Sequence, residues 1–251
     1  MPVSSRQAAY LDALGVTRYA RRAPPQAVVS RPPVDPPPQA PAVVEAPRPA
    51  APVQGVPAPP ATDPAAAWQA LHAQIAACTA CGLSRSRSHT VPGVGDREAD
   101  WMVIGEAPGA EEDARGEPFV GPAGKLLDAM LQAVGRSRRR GVYITNIVKC
   151  RPPNNRDPAP QEAQACADFL QRQIALIQPK LILAVGKVAA HNLLERDDPV
   201  GRLRGRVWQW QGRVPVVVTY HPAYLLRSPL EKRKAWDDLC LAQDVLDGSA
   251  G

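Results

Sequence analysis

The sequence has no apolar run near the ~18 residues that a membrane-spanning helix needs, so no segment reads as transmembrane. Its first residues do not read as a secretory signal either. Arg6 and Asp12 interrupt the N-terminal stretch "SSRQAAYLDALGVTRYARR", which patterns instead as one amphipathic helix ending near Gly15. With neither export signal nor span, a cytoplasmic location is expected. A working phosphate loop is missing too. In "GPAGKLL" (121–127) the lysine is followed by Leu126 where a magnesium-binding hydroxyl belongs, and Phe119 stands where the loop's first glycine should be. "GVGD" (93–96) precedes a strand, whereas a dinucleotide fingerprint must follow one, so neither nucleotide hydrolysis nor dinucleotide binding is indicated.

What the chain has in excess is proline. Between Pro24 and Pro64 lie 15 of the 29 prolines, separated mostly by Ala, Val and Gln. Such density removes backbone donors and favours extended polyproline II, which predicts a solvated linker without a core. The organisation expected is a short helical segment (1–22), a Pro/Ala-rich disordered linker (23–65) and one folded domain (66–247), long enough for a single buried core. The net charge of +6 permits a polyanionic partner without requiring one. Its basic residues cluster in "GRSRRRG" (135–141), "GRLRGRVWQWQGR" (201–213) and "RSPLEKRK" (227–234), which together suggest a phosphate-facing surface, although any one alone reads as solvated exterior.

Four short runs rich in Val and Ile read as strands buried on both faces: "WMVIGEA" (101–107), "VYITNIV" (142–148), "LILAVG" (181–186) and "VPVVVTY" (214–220). Helical patterns at 124–135, 159–177 and 187–195 lie between them, and helices at 65–78 and 229–246 bracket the set. Alternation of this kind predicts an α/β fold, a three-layer sandwich around a four-stranded, mainly parallel central sheet. Ligands in such sheets bind beyond the carboxyl ends of the strands. The unusual residues all follow strand ends: Glu106-Ala107-Pro108-Gly109, Asn146, Gly186 and His221. One site is therefore expected there.

Of the five cysteines, Cys78 and Cys81 form C-x2-C, a spacing that suits zinc or an iron–sulfur cluster. Buried free thiols and, were the protein exported, a disulfide are the competing explanations. Spacing alone does not assign Cys150 and Cys166 as third and fourth ligands, and four thiolates do not by themselves choose between the metals. The 68 residues between Cys81 and Cys150 point to a group that ties an N-terminal helix to the sheet rather than to a compact zinc ribbon. Cys240 has apolar neighbours at helical spacing and reads as core.

The segments "GEAPGAEED" (105–113), "GEPFVGPAGKLLD" (116–128), "YITNIVKCRPPNNRDP" (143–158) and "TYHPAYLLR" (219–227), with the four spaced cysteines, closely resemble family 4 uracil-DNA glycosylases. The resemblance runs from about Cys78 to the last helix and leaves out the N-terminal helix and linker. It implies a [4Fe–4S] cluster on Cys78, Cys81, Cys150 and Cys166, structural rather than redox-active. It also implies hydrolysis of the N-glycosidic bond of uracil in DNA, by a chain acting as a monomer.

In that scheme His221, its backbone restricted by Pro222, donates to the O2 of the leaving base, and Asn146 meets the uracil edge at O4 and N3. Phe119 stacks on the flipped base, Glu112 crowds its C5 edge against thymine, and Gly105 joins the substrate-binding set. Relatives in other families carry an Asp where this chain has Ala107, which leaves either the Glu106 carboxylate or backbone groups of 106–109 to position the water. Leu225, Leu226 and Arg227 are the expected DNA contacts, one leucine as wedge and the other as packing, with Arg227 on a phosphate. The segment 149–158 lacks the histidine of a uracil-trapping variant, so ordinary monofunctional turnover is expected. A DNA-binding module without turnover and an electron-transfer protein are the competing classes. The N-terminal extension is a tether or a motif for a partner not identified by the sequence.

Overall fold

The computed structural model describes residues 63–248; the expected N-terminal helix and nearly all of the linker lie outside the described residues. Helix α1 (Pro64–Ala77) begins where the Asp63 carboxylate accepts from the Ala65 N–H at 2.8 Å and proline fills the first turn. Trp68, Leu71 and Ile75 recur at helical spacing and are the residues that α1 buries. Each fully buried side chain of this size stabilises the fold by about 1.5–3 kcal/mol.

The sheet has six strands in the order β1-β3-β2-β4-β6-β5. All four expected strands form: β2 (Trp101–Gly105), β3 (Val142–Asn146), β4 (Leu181–Val185) and β6 (Val214–Thr219). They run parallel, with β3 and β4 flanking β2 and β6 outside β4. The expectation of four strands is corrected by two antiparallel edges, β1 (Val94–Gly95) on β3 and β5 (Val207–Trp210) on β6. β1 is only two residues long, and β5 hides inside an arginine-rich stretch that patterns as surface. A tight hairpin joins β5 to β6. Its connection is residues 211–213, in which Gln211 and Gly212 both have positive φ, 48° and 65°, and the Arg213 N–H donates back to the Trp210 carbonyl at 3.0 Å.

Alternate residues of the central strands enter two different cores. Met102, Ile104, Tyr143, Ile182 and Val216 pack with α1, α4 (Pro160–Ile177) and α5 (Lys187–Leu194). Trp101, Val103, Ile144, Leu183 and Val217 pack with α3 (Pro122–Ala133) and α8 (Lys232–Leu246). Three layers follow from this period of two. Short helices α2 (Ala110–Arg115), α6 (Val200–Leu203) and α7 (Pro222–Arg227) add turns that the sequence patterns do not reveal. No helix among the described residues is long and apolar enough to cross a membrane.

The chain passes from β2 to β3 on one side and then returns to β4 on the other side of β2. Such a switch point opens a crevice at the carboxyl ends of the strands. Gly105 pairs with Asn146 there, and Gly186 and His221 follow the ends of β4 and β6.

Candidate active site and cysteine cavity

A cleft of about 780 Å³ opens at this switch point, lined by Glu106, Ala107, Glu112, Phe119, Asn146, Asp157, Lys187, His221 and Arg227, among others. That size accommodates a nucleotide rather than a single ring.

His221 precedes α7 and caps it: its Nδ1 accepts from the Ala223 N–H at 3.2 Å, and Pro222 sits where the helix needs no donor. With Nδ1 accepting, the proton of the neutral ring belongs to Nε2. Burial pulls the imidazole down to about 4, the Arg227 charge acts in the same direction and Glu112 opposes it. At neutral pH His221 is an uncharged ring with one N–H to offer. Gly186 makes room for it. A Cβ at Gly186 would lie 3.0 Å from the His221 Cβ, and its φ of 95° suits glycine.

The Phe119 ring stacks on His221 with centroids 5.6 Å apart and planes inclined by 29°. Its backbone has a φ of 55°, unusual for an aromatic residue, and the neighbouring chain holds it there. Arg138 donates to the Pro118 carbonyl at 3.1 Å and to the Phe119 carbonyl at 2.8 Å. Arg138 is itself oriented by Asp128 at 2.8 Å. From the other side the Glu112 carboxylate accepts from the Val120, Gly121 and Gly109 N–H groups at 3.0, 3.2 and 3.1 Å. Glu112 therefore clamps the loop and opens α2 as well as lining the cleft. Gly124 is obligatory, because any Cβ there would fall on the Phe119 carbonyl.

Gly105 leaves space at the end of β2: a Cβ would meet Asn146 Oδ1 at 2.5 Å and Phe119 Cζ at 2.6 Å. Asn146 is 2% exposed, and its Oδ1 has no hydrogen-bond partner in the protein. A buried acceptor left unpaired costs about 1–3 kcal/mol, so this oxygen suits a ligand's N–H.

The Glu106 side chain lines the cleft together with its Ala107 neighbour. Burial raises its carboxyl to about 7, reinforced by the charge and hydrogen bond of Asp157 and opposed by Lys187. Lys187 Nζ lies 3.5 Å from the Asp157 carboxylate.

The two leucines after the histidine diverge. Leu226 is 44% exposed, whereas Leu225 is 1% exposed. Of the two leucines expected at the DNA, α7 turns Leu225 into the core, which makes it the packing residue, excludes it as a DNA contact and leaves Leu226 exposed. Part of the expected basic surface is likewise committed internally. Arg136 stacks on Trp101 at 4.7 Å, Arg138 holds the Phe119 loop, and Arg204 pairs with buried Asp238 at 2.9 Å.

Cys78, Cys81, Cys150 and Cys166 line a second, smaller cavity between α1, α4 and the segment after β3. All are free thiols. Among the described residues no three Cys, His, Asp or Glu side chains gather closely enough for a single metal ion. The Arg87 guanidinium donates to Cys150 Sγ at 3.0 Å and to the Ala76 carbonyl at 2.9 Å. Cys240 is not part of this lining, and its reading as core is corrected too, because it is only partly buried on α8 while Leu239 and Ala242 fill the core.

Several site residues escape sequence reasoning. Arg138 sits in a run that looks like surface, Asp157 and Lys187 are unremarkable charges, and Lys149 ends an apolar run. Only the lysine leaves a signal, a charge inside "NIVKC".

The model of the uracil DNA glycosylase superfamily matches residues 92–240. The type-4 uracil-DNA glycosylase of Archaeoglobus fulgidus is 45% identical over 163 residues, 62% of this chain and 81% of the relative. That of Pyrobaculum aerophilum is 42% identical over 180 residues, 69% and 91% of the two chains. The Thermotoga maritima protein is 44% identical over 156 residues, 62% and 81%. With the superfamily match spanning more than half its length and these type-4 relatives covered over most of theirs, the chain belongs to the family 4 uracil-DNA glycosylases.

Proposed function

We propose that the protein is a monofunctional glycosylase that hydrolyses the N-glycosidic bond of uracil in DNA and leaves an abasic site. The observation that carries this is the neutral His221, with an Nε2–H to offer, on the same cleft as the unpaired Asn146 oxygen.

Uracil has an N–H at N3 and a carbonyl at O4, which complement the Asn146 Oδ1 and Nδ2. Cytosine reverses both groups and leaves the buried amide mismatched. Phe119, one face against His221, supplies a flat apolar surface for the base. As the bond from C1′ to N1 breaks, its electron pair moves onto the base. The His221 Nε2–H stabilises the negative charge developing at O2 without transferring its proton. A neutral imidazole avoids the cost of burying a cation before the anion forms.

The sugar becomes cation-like, and an ionised Glu106 stabilises it while orienting a water toward C1′. The carboxylate then accepts the water's proton. A carboxyl near 7 suits a base working at neutral pH. Glu112, through its grip on the Phe119 loop, sets the wall that meets the C5 edge and crowds a thymine methyl. Leu226 fills the gap in the duplex and Arg227 binds a phosphate.

The four thiols suit a [4Fe–4S] cluster. The donor set is all sulfur, the four thiols line one shared cavity, and Arg87 offers a positive N–H to it. When bound, the cluster would cross-link α1 and α4 to the segment after β3, and hydrolysis asks no electron of it.

The decisive experiment incubates the purified protein with a uracil-containing oligonucleotide, followed by alkaline cleavage and measurement of free uracil. Wild type should release uracil and His221→Ala should lose activity by at least 10²-fold. Absence of abasic sites with wild type would favour a DNA-binding module instead.

A further inference from the structure

Behind Asn146 lies a fully buried lysine. Lys149 is 1% exposed, and its ammonium donates to the Asn146 carbonyl at 2.6 Å and the Thr145 hydroxyl at 2.7 Å. Thr145 Oγ1 is also within reach of the Pro92 carbonyl at 2.9 Å and Gln173 Oε1 at 3.2 Å. Gln173, itself buried, donates to the same Pro92 carbonyl at 2.6 Å. The lysine thus fixes the last residues of β3 within a closed polar network.

The other side of the lysine faces the cysteine cavity, which it helps to line. Cys150 is its chain neighbour, and Cys166 lines the same cavity. No carboxylate among the described residues is an ion-pair partner of Lys149. A buried ammonium without compensating charge is costly, and two neutral acceptors answer only part of that cost. Cluster-bound thiolates in that cavity would supply the missing negative charge.

We propose that Lys149 is a positioning residue that joins the two cavities, holding Asn146 in base-reading geometry from behind while it counter-charges the cysteine-bound cluster. This rests on the roles given above to Asn146 and the four cysteines. It gives the cluster a part beyond cross-linking: its negative charge keeps in place the lysine on which uracil recognition depends.

The test uses the holoprotein, with Lys149→Met and Lys149→Gln. Melting temperature and iron per chain establish that each variant is folded and loaded. Two further readouts separate the lysine's functions: inhibition by free uracil, with kcat and KM, and the reduction potential of the cluster.

Lys149→Met should weaken uracil inhibition and raise KM by about tenfold, the size of one lost charge-assisted hydrogen bond. It should also move the potential to a more negative value, because a nearby positive charge favours the reduced cluster. Lys149→Gln keeps a donor without the charge, so it should shift the potential while largely preserving uracil inhibition. In an Asn146→Ala background, Lys149→Met should weaken uracil binding no further yet still shift the potential.

Unchanged uracil inhibition in Lys149→Met, additive losses in the double variant, or an unaltered potential in either single variant would overturn the proposal. Should Lys149→Met not fold, the potential of Lys149→Gln decides. Wild-type protein without iron or without uracil release would instead refute the functional assignment beneath it.

Discussion

Arg138 holds Phe119 in a left-handed backbone conformation by donating to its carbonyl at 2.8 Å, with Asp128 fixing the guanidinium from behind. The stacking ring of the cleft therefore depends on a residue more than one helix away in sequence. Arg138→Met should lower kcat/KM by about tenfold through a rise in KM, with Arg138→Lys restoring part of it. Two hydrogen bonds from a charged donor set that scale. Steady-state kinetics with a uracil oligonucleotide provide the measurement, and Phe119→Ala should make the Arg138 substitution nearly silent.

Glu106 should set the acid limb of the rate profile. Its carboxyl stands at about 7, so kcat/KM should fall as pH drops below that value and the carboxylate protonates. Asp157→Asn removes a charge and a hydrogen bond that raise it, and should move the limb to lower pH. Lys187→Met removes the opposing influence and should move the limb upward. Glu106→Gln should abolish the limb and lose at least 10²-fold in rate. Near-normal turnover in that variant would eliminate Glu106 as the essential base.

Stability should respond to pH through His221 and Glu106 in opposite senses. Between about 4 and 6.5 the unfolded state holds the His221 proton and the folded state does not, so stability rises with pH. From about 4.5 to 7 the folded state holds the Glu106 proton and the unfolded state does not, so stability falls with pH. Where the windows overlap the two contributions offset each other. Glu106→Gln should unmask a stability that rises with pH, and His221→Gln one that falls. Denaturant titrations at half-unit pH intervals would check both signs.

The adjacent leucines should separate cleanly. Leu225→Ala should destabilise the protein by about 2–5 kcal/mol, as buried leucine truncations do. Leu226→Ala should change stability by no more than about 0.5 kcal/mol while reducing activity on double-stranded substrate more than on single-stranded. Thermal melts and paired substrates distinguish the two.

Removal of one cavity thiol should reduce bound iron. Cys78→Ser should lower iron per chain and the melting temperature, whereas Cys240→Ser should leave iron unchanged. Elemental analysis with a visible spectrum tests both variants.

Much of this architecture was legible from residue patterns because the central strands are buried on both faces and consist of uninterrupted apolar runs. Strand ends alone locate Glu106, Asn146 and His221. What stayed hidden was whatever depends on a partner distant in sequence. Arg138 looks like any surface arginine until its fork meets the Phe119 carbonyl, and Asp157 acquires meaning only beside Glu106. Edge strand β5 was masked because its Trp and Gln residues alternate within a cationic stretch. Which of the two leucines packs required knowing that a short helix follows His221.

The pairing of Gly105 with Asn146 at the ends of β2 and β3 limits how this protein can change in length. Inserting or deleting a single residue within β3 would send the Asn146 amide to the opposite layer of the sandwich, and the same change in β2 would displace Gly105 from beside it. The hairpin at Gln211–Gly212 carries no such constraint, because it is distant from these strand ends in sequence and joins an edge. Added segments or reporter tags should be accommodated there, while the strands keep the phase that aims the amide into the cleft.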